Sequence, residues 1–211
     1  MVLRPWARRG GATGPNPALR RESGRVRLVL VGPPGSGKST QAHQVAAHLG
    51  VPVVSAGELL RTRAAAGTGA WREVAALLQR GELVPDDLVV DVVRDALETA
   101  ASSGGYVLEG FPRTLAQARH RGTPAFDLVV HLALADDGAR VRLAHRAAGG
   151  RPDDSDPEVV ERRLRRYHAD TEPVLDFYRA QGTLRTVDAS QSPEAVSGAI
   201  LRAVAEVEAG D

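Results

Sequence analysis

An apolar, β-branched segment, Val26-Arg27-Leu28-Val29-Leu30-Val31, runs directly into Gly32-Pro33-Pro34-Gly35-Ser36-Gly37-Lys38-Ser39. A short apolar run of this kind reads as a buried strand. Ser39 to Leu49, STQAHQVAAHL, combines strong helix formers with an apolar face. Strand, glycine turn and helix in succession commit the chain to an α/β arrangement. The octapeptide fits the pattern G-x-x-x-x-G-K-[ST], in which glycines let successive backbone N–H groups turn inward around a phosphate. The helix N-terminus adds its dipole to the same anion site. Lys38 is the only lysine among 27 Lys and Arg residues, so its place in the octapeptide carries information. Phosphate chemistry there needs a compact ammonium on a flexible stem, which the planar fork of an arginine cannot supply. The hydroxyl of Ser39 or Thr40 is then expected to face Mg²⁺.

The rest of the chain alternates strands with helices. Further strands are predicted at Val51–Ser55, Gly105–Glu109, Asp127–Leu134 and Leu184–Asp188. Helices are expected at Glu58–Ala66, Ala70–Arg80, from Pro85 onward, and at Pro193–Ala209. Gly67-Thr68-Gly69 breaks the first two apart. This alternation predicts a three-layer α/β/α sandwich around a five-stranded parallel sheet. In such sheets ligands bind beyond the carboxyl ends of the strands. Gly32 onward, Ser55-Ala56-Gly57 and Glu109-Gly110-Phe111-Pro112-Arg113 should therefore meet in one crevice.

Composition narrows the function classes. A chain of 211 residues suits one domain with small inserted lobes, and 4% aromatics imply an aliphatic core. A net charge of +1 argues against a general nucleic-acid binder. The absence of cysteine excludes disulfides and thiolate metal sites. No apolar stretch approaches the ~20 residues of a membrane span, so a cytoplasmic protein is expected, with no membrane partner. Residues 1–25 set six arginines against Glu22 alone, with many Gly and Pro and no apolar periodicity. They read as a disordered basic tail, or as sequence ahead of the true start, and they lack the apolar stretch of a signal peptide.

Arginines supply the remaining cations. Arg113 follows a strand end and Arg61 lies early on the helix after Ser55. Arg142 and Arg146 share a helix face at i, i+4, Arg151 precedes Pro152-Asp153-Asp154, and Arg162, Arg163, Arg165 and Arg166 crowd one helix. Position alone favours Arg61 and Arg113, because most arginines in so Arg-rich a chain must be solvated.

Several segments together resemble the adenylate kinases, of the nucleoside monophosphate kinase family. They are GPPGSGKSTQ (32–41), SAGELLR (55–61), GELVPDD (81–87), GFPRTLAQA (110–118), RLAHR (142–146), GRPDD (150–154), YHADTEPVLDFY (167–178) and VDAS (187–190). The resemblance implies a P-loop kinase domain over 26–211, with a helical NMP-binding lobe at about 55–84 and a short lid at about 147–156. It implies that Gly35, Ser36, Gly37, Lys38, Ser39 and Thr40 hold the ATP phosphates. Arg142 would stack on the ATP adenine, with backbone near Gln191 on the far side. Arg61 and Arg113 would clamp the acceptor α-phosphate, with Ser55, Ala56, Glu82, Leu83, Val84 and Gly110 around the acceptor, and Gln117 reading its base edge. Lys38, Arg113, Arg146, Arg151 and one of Arg162 or Arg163 would act on the transferring group. The downstream match (RL…Y…TEPV) favours Arg163, whereas counting forward from Arg151 favours Arg162. Ser39 and Glu109 would serve Mg²⁺, through water.

The chain departs from the family pattern in its short lid, without a zinc or β-lobed element, and at three residues. Glu109 stands where the family has Asp, Ser39 where it usually has Gly, and Ala56 where adenylate kinases have Thr and the pyrimidine-preferring members have Ala. The implied activity is reversible, Mg²⁺-dependent transfer of the terminal phosphoryl group of ATP to a nucleoside monophosphate, foremost AMP, giving two ADP, by a monomer with no nucleic-acid partner. The alternatives are a kinase for CMP, UMP, a modified nucleotide or a small molecule, or a nucleotide-binding homologue of weak activity.

Overall fold

The structure, a computed structural model, describes residues 26–67, 69, 71–149, 154 and 156–210. The expected tail at 1–25 and the expected site residue Arg151 lie outside the described residues.

The elements follow in the order β1 (Val26–Val31), α1 (Lys38–Leu49), β2 (Val53–Ser55), α2 (Ala56–Ala65), α3 (Trp71–Gln79), α4 (Asp86–Ala101) and β3 (Gly105–Glu109). Then come α5 (Leu115–Arg119), β4 (Leu128–Ala133), α6 (Asp136–Ala148), α7 (Pro157–Arg166), a π-helical turn (Tyr167–Thr171), α8 (Glu172–Ala180), β5 (Leu184–Asp188) and α9 (Pro193–Ala209). The five strands form one parallel sheet in the order β2-β3-β1-β4-β5. The chain winds from β1 toward one edge and later returns past it to the other. The reversal places a crevice beyond the carboxyl end of β1.

Register turns the two-residue period of the strands into two cores. Leu28 of β1 stands level with Val107 of β3 and Leu128 of β4, and this row packs with α1 and α9. Val29 stands level with Leu108 and Val129, and that row packs with α4 and α8 on the opposite face. Because both faces are covered, β1 is apolar almost throughout, as a parallel strand buried twice must be. Leu28, Leu30, Leu128 and Leu132 are all at most 1% exposed, so truncating any one to Ala costs about 2–5 kcal/mol. A third, smaller cluster joins α6 to α7 through Ala139, Leu143, Val160 and Leu164.

Local chemistry sets the element ends near the crevice. Ser55 caps α2 by accepting from Glu58 N, and Thr114 caps α5 by accepting from Gln117 N. β2 begins at Val53, two residues later than expected. Pro52, with no N–H, lends only its carbonyl, to Val107 N at 3.0 Å. The π-helical turn has side-chain tethers on three sides. Tyr167 Oη pairs with His131 Nε2 at 2.9 Å, His168 lies between Asp136 and Glu172, and Thr171 Oγ1 donates to Arg113 O at 2.9 Å.

Candidate active site

The loop between β1 and α1 is shaped by backbone that only glycine adopts readily. Gly35 and Gly37 have φ of +80° and +87°, in the left-handed region. A Cβ on Gly35 would sit 2.9 Å from Ala139 O, so the loop also lies hard against α6. Lys38 Nζ curls back onto this loop, donating to Gly32 O and Pro33 O, each at 2.8 Å. Burial pushes its ammonium down to about 7. Glu109 acts against that shift, and the charges of Arg113, Arg163 and Arg146 add to it. These five side chains, from five separate elements or loops, are close enough to feel one another.

On the far side of the crevice, Arg113 Nε donates to Gly110 O at 2.9 Å. Burial lowers its pKa, as do Arg163 and Arg61, while Glu109 opposes them. A guanidinium keeps its charge regardless, so the shift marks burial first and neighbouring guanidiniums second. Glu109 is 8% exposed and accepts a short hydrogen bond from Ser55 Oγ.

Asp154 was not foreseen as a site residue. Its carboxylate is fully buried, taking Arg146 Nε at 2.7 Å on one oxygen and Arg163 Nη1 at 2.6 Å on the other. Burial alone would raise its pKa, but the two guanidinium hydrogen bonds overcome this and hold it below the usual carboxylate range. A guanidinium carries five N–H donors, more than one carboxylate oxygen takes. Arg163 lines the crevice, whereas Arg162 lies on the outer surface beside Pro157 and Arg165. Arg142 leaves the same face of α6 as Arg146, but its head diverges to Ser190 O at 3.4 Å, next to Gln191.

The resulting cleft holds about 480 Å³, within the range of small-molecule sites. Its wall carries Lys38, Arg61, Arg113, Arg146, Arg163 and Arg166 against two carboxylates, Glu82 and Glu109. Gly35, Gly37, Ser39, Thr40, Leu83, Val84, Gly110 and Gln117 also line it. Ser36, 2% exposed, is buried beneath the loop. Ser55 and Ala56, expected around the acceptor, do not reach the wall. Ser55 turns inward to Glu109, and Ala56 is 1% exposed beneath Gly57 and Gly110. Arg142 and Gln191 lie beyond the cleft near the β5–α9 loop. Tyr167 and Thr171 line the cleft without having been foreseen as site residues, since an irregular turn leaves no periodic mark.

A sequence model of a family described as adenylate kinase matches residues 30–183. The chain belongs to the adenylate kinase family. It is 40% identical over 185 residues to an adenylate kinase of Parvibaculum lavamentivorans, covering 83% of this chain and 90% of the relative. It is 41% identical over 187 residues to an adenylate kinase of Stenotrophomonas maltophilia, covering 85% and 99%. An "Adenylate kinase 1" of Nostoc is 40% identical over 178 residues, covering 82% and 95%. Family membership makes the chain a phosphotransferase acting on nucleotides, and the activity that goes with it is ATP-dependent phosphoryl transfer to AMP, giving ADP.

Proposed function

We propose that this chain, as a monomer acting on free nucleotides, transfers the terminal phosphoryl group of Mg-ATP reversibly to AMP, giving two ADP. The observation that carries the proposal is the convergence of Lys38, Arg61, Arg113, Arg146 and Arg163 on one cleft beyond the parallel sheet. So many cations with so few carboxylates repel one another when the cleft is empty, and bound polyphosphate relieves that repulsion.

The roles follow from position. The loop amides from Gly35 to Thr40 and Lys38 hold the donor phosphates, with the ammonium exchanging its two carbonyl partners for phosphate oxygens. Arg61 and Arg113 hold the acceptor phosphate, and Gln117 faces the acceptor base. Arg142 and the backbone at Gln191 flank the donor base. Arg146 and Arg163, oriented by Asp154, offer N–H groups to the transferring phosphoryl, with Arg151 expected to join them. Charge spreads over its oxygens during transfer, so positioned guanidiniums supply most of the catalysis. α2 and α3 serve as the acceptor lobe, and 147–156 as a short lid that excludes water.

Ser39 and Glu109 suit magnesium. Both are hard oxygen donors. Among the described residues no group of three or more His, Cys, Asp or Glu could cage a metal, which matches an ion held mainly by phosphates and water. Bound there, Mg²⁺ would neutralise charge on the phosphate oxygens. A coupled ADP-forming assay with ATP and AMP, CMP, UMP or GMP tests the reading. AMP should give the largest kcat/KM, and a preference for CMP or UMP would overturn the adenine assignment.

A further inference from the structure

We infer that Asp86 is a positioning residue for acceptor choice. Its carboxylate and the backbone N–H of Arg113 fix the polarity of the Gln117 amide, so that Gln117 reads a base edge in one donor–acceptor order only. This rests on the reading that Gln117 faces the acceptor base.

Gln117 is 2% exposed at the cleft wall. Its Nε2 donates to Asp86 Oδ1 at 2.7 Å, and its Oε1 accepts from Arg113 N at 2.7 Å. A carboxylate can only accept and a backbone N–H can only donate. Rotating the amide by half a turn would set oxygen against oxygen at Asp86 and N–H against N–H at Arg113. Both hydrogen bonds would be lost, and two repulsive contacts would replace them.

The carboxylate is itself held in place. Thr114 Oγ1 donates to the same Asp86 oxygen at 3.1 Å and accepts from Gln117 N at 3.0 Å. Asp86 opens α4, where the helix N-terminus favours a negative charge. Thr123 Oγ1 donates to Gln117 O at 2.6 Å, fixing the backbone behind the amide.

A primary amide has two N–H donors and two acceptor lone pairs. One of each is committed to Asp86 and Arg113, and one of each remains, in fixed order. Adenine offers an amino donor beside a ring-nitrogen acceptor. Hypoxanthine and guanine place a carbonyl acceptor and an N–H donor at the same two positions, which is the reverse order. Cytosine shares adenine's order and uracil reverses it. The lock therefore separates amino bases from oxo bases, and the size of the cleft must separate purines from pyrimidines.

AMP and inosine monophosphate have nearly the same outline and differ at those two positions, so their kcat/KM ratio reads the lock. It should be measured in the unaltered chain and in Gln117→Ala, Asp86→Asn and Asp86→Ala, with ATP as donor. The unaltered chain should favour AMP by at least about 100-fold. Gln117→Ala should abolish most of that preference. Asp86→Asn, whose side chain can either donate or accept, should lower the ratio roughly tenfold, and Asp86→Ala should lower it further, with the loss in KM for AMP exceeding that in kcat. If Gln117→Ala leaves the ratio unchanged, the base-reading role fails and the lock with it. If Gln117→Ala collapses the ratio while both Asp86 variants keep it, the lock alone is overturned. Equal losses for AMP and inosine monophosphate in the Asp86 variants would show a merely structural role and also overturn it. Should Asp86→Ala fail to fold, the isosteric Asp86→Asn decides.

Discussion

At the end of the cleft proposed for the donor, the phosphate contacts come from one stretch of backbone between β1 and α1 and from the lysine it carries. At the end proposed for the acceptor the groups come from many places: Arg61 on α2 and Arg113 after β3 for the phosphate, Gln117 on α5 for the base, and Asp86 behind it on α4. The first end is built mostly from one short stretch of chain, with Gly35 seated against α6. The second exists only once four elements have docked. A local site is hard to retune without destroying it, because its donors are main-chain groups. A dispersed site can be retuned one side chain at a time.

The largest expected effect lies at the local end. Lys38→Arg should reduce turnover by roughly 10³-fold with the melting temperature little changed, because a forked head cannot take a point-charge niche. Near-normal turnover in a folded Lys38→Arg would break the comparison outright. Next, Arg146→Ala should lower kcat by about 10²-fold and move either KM much less, since its free donors serve the transition state. A change confined to KM would make it a ground-state ligand. Ser55→Ala sharpens the dispersed end. It removes the cap of α2 and the hydroxyl partner of Glu109 together, at a cost of about 1–2 kcal/mol in denaturant unfolding. No loss of stability would mean that water replaces the hydroxyl without penalty.

Lys38 also gives a pH signature. Its pKa in the empty chain is about 7, against about 10.4 unfolded. Between these values the unfolded chain binds more protons, so this group's contribution to stability increases as pH rises from about 7 to about 10.4. Bound phosphates restore the charged form. Calorimetry of ATP binding at pH 8 in buffers of different ionisation enthalpy should therefore show uptake of most of a proton, vanishing below about pH 6. The smallest effect expected is on base choice in Ala56→Thr. Position 56 is buried, so the variant should shift the AMP-to-CMP ratio less than threefold and act instead on stability, by about 1–3 kcal/mol. A larger shift in the ratio would place residue 56 against the base.

What the sequence revealed follows the same division. The strands at Gly105–Glu109 and Leu184–Asp188, the helix at Pro193–Ala209 and the glycine loop are contiguous patterns, and the elements occur there. Arg113 was legible because it follows the end of a parallel strand, and Arg61 because it lies on the helix that leaves the adjacent strand, both at the carboxyl edge where ligands bind. The burial of Ala56 and the inward turn of Ser55 were not, since one residue of helix rotation decides between wall and interior. The pairing of Asp154 with Arg146 and Arg163, and of Asp86 with Gln117, joins residues with no common spacing, and only docking brings them together. α5 escaped because five residues are too few to show a period.

The π-helical turn between α7 and α8 has one more consequence. An α-helix advances 100° per residue, and an i→i+5 turn accommodates one residue more than an α-turn does. Arg163 at one end of this helical run faces the cleft, while Val174 and Tyr178 at the other end are sunk in the sheet core. With the surplus residue removed, the run would close into an uninterrupted α rod whose two ends are out of phase by about 100°. Either the arginine or the core side chains would then face the wrong way. The tyrosine, histidine and threonine tethers hold that surplus in place, so substitutions between them, at Ala169 and Asp170, should be tolerated far better than any change of length.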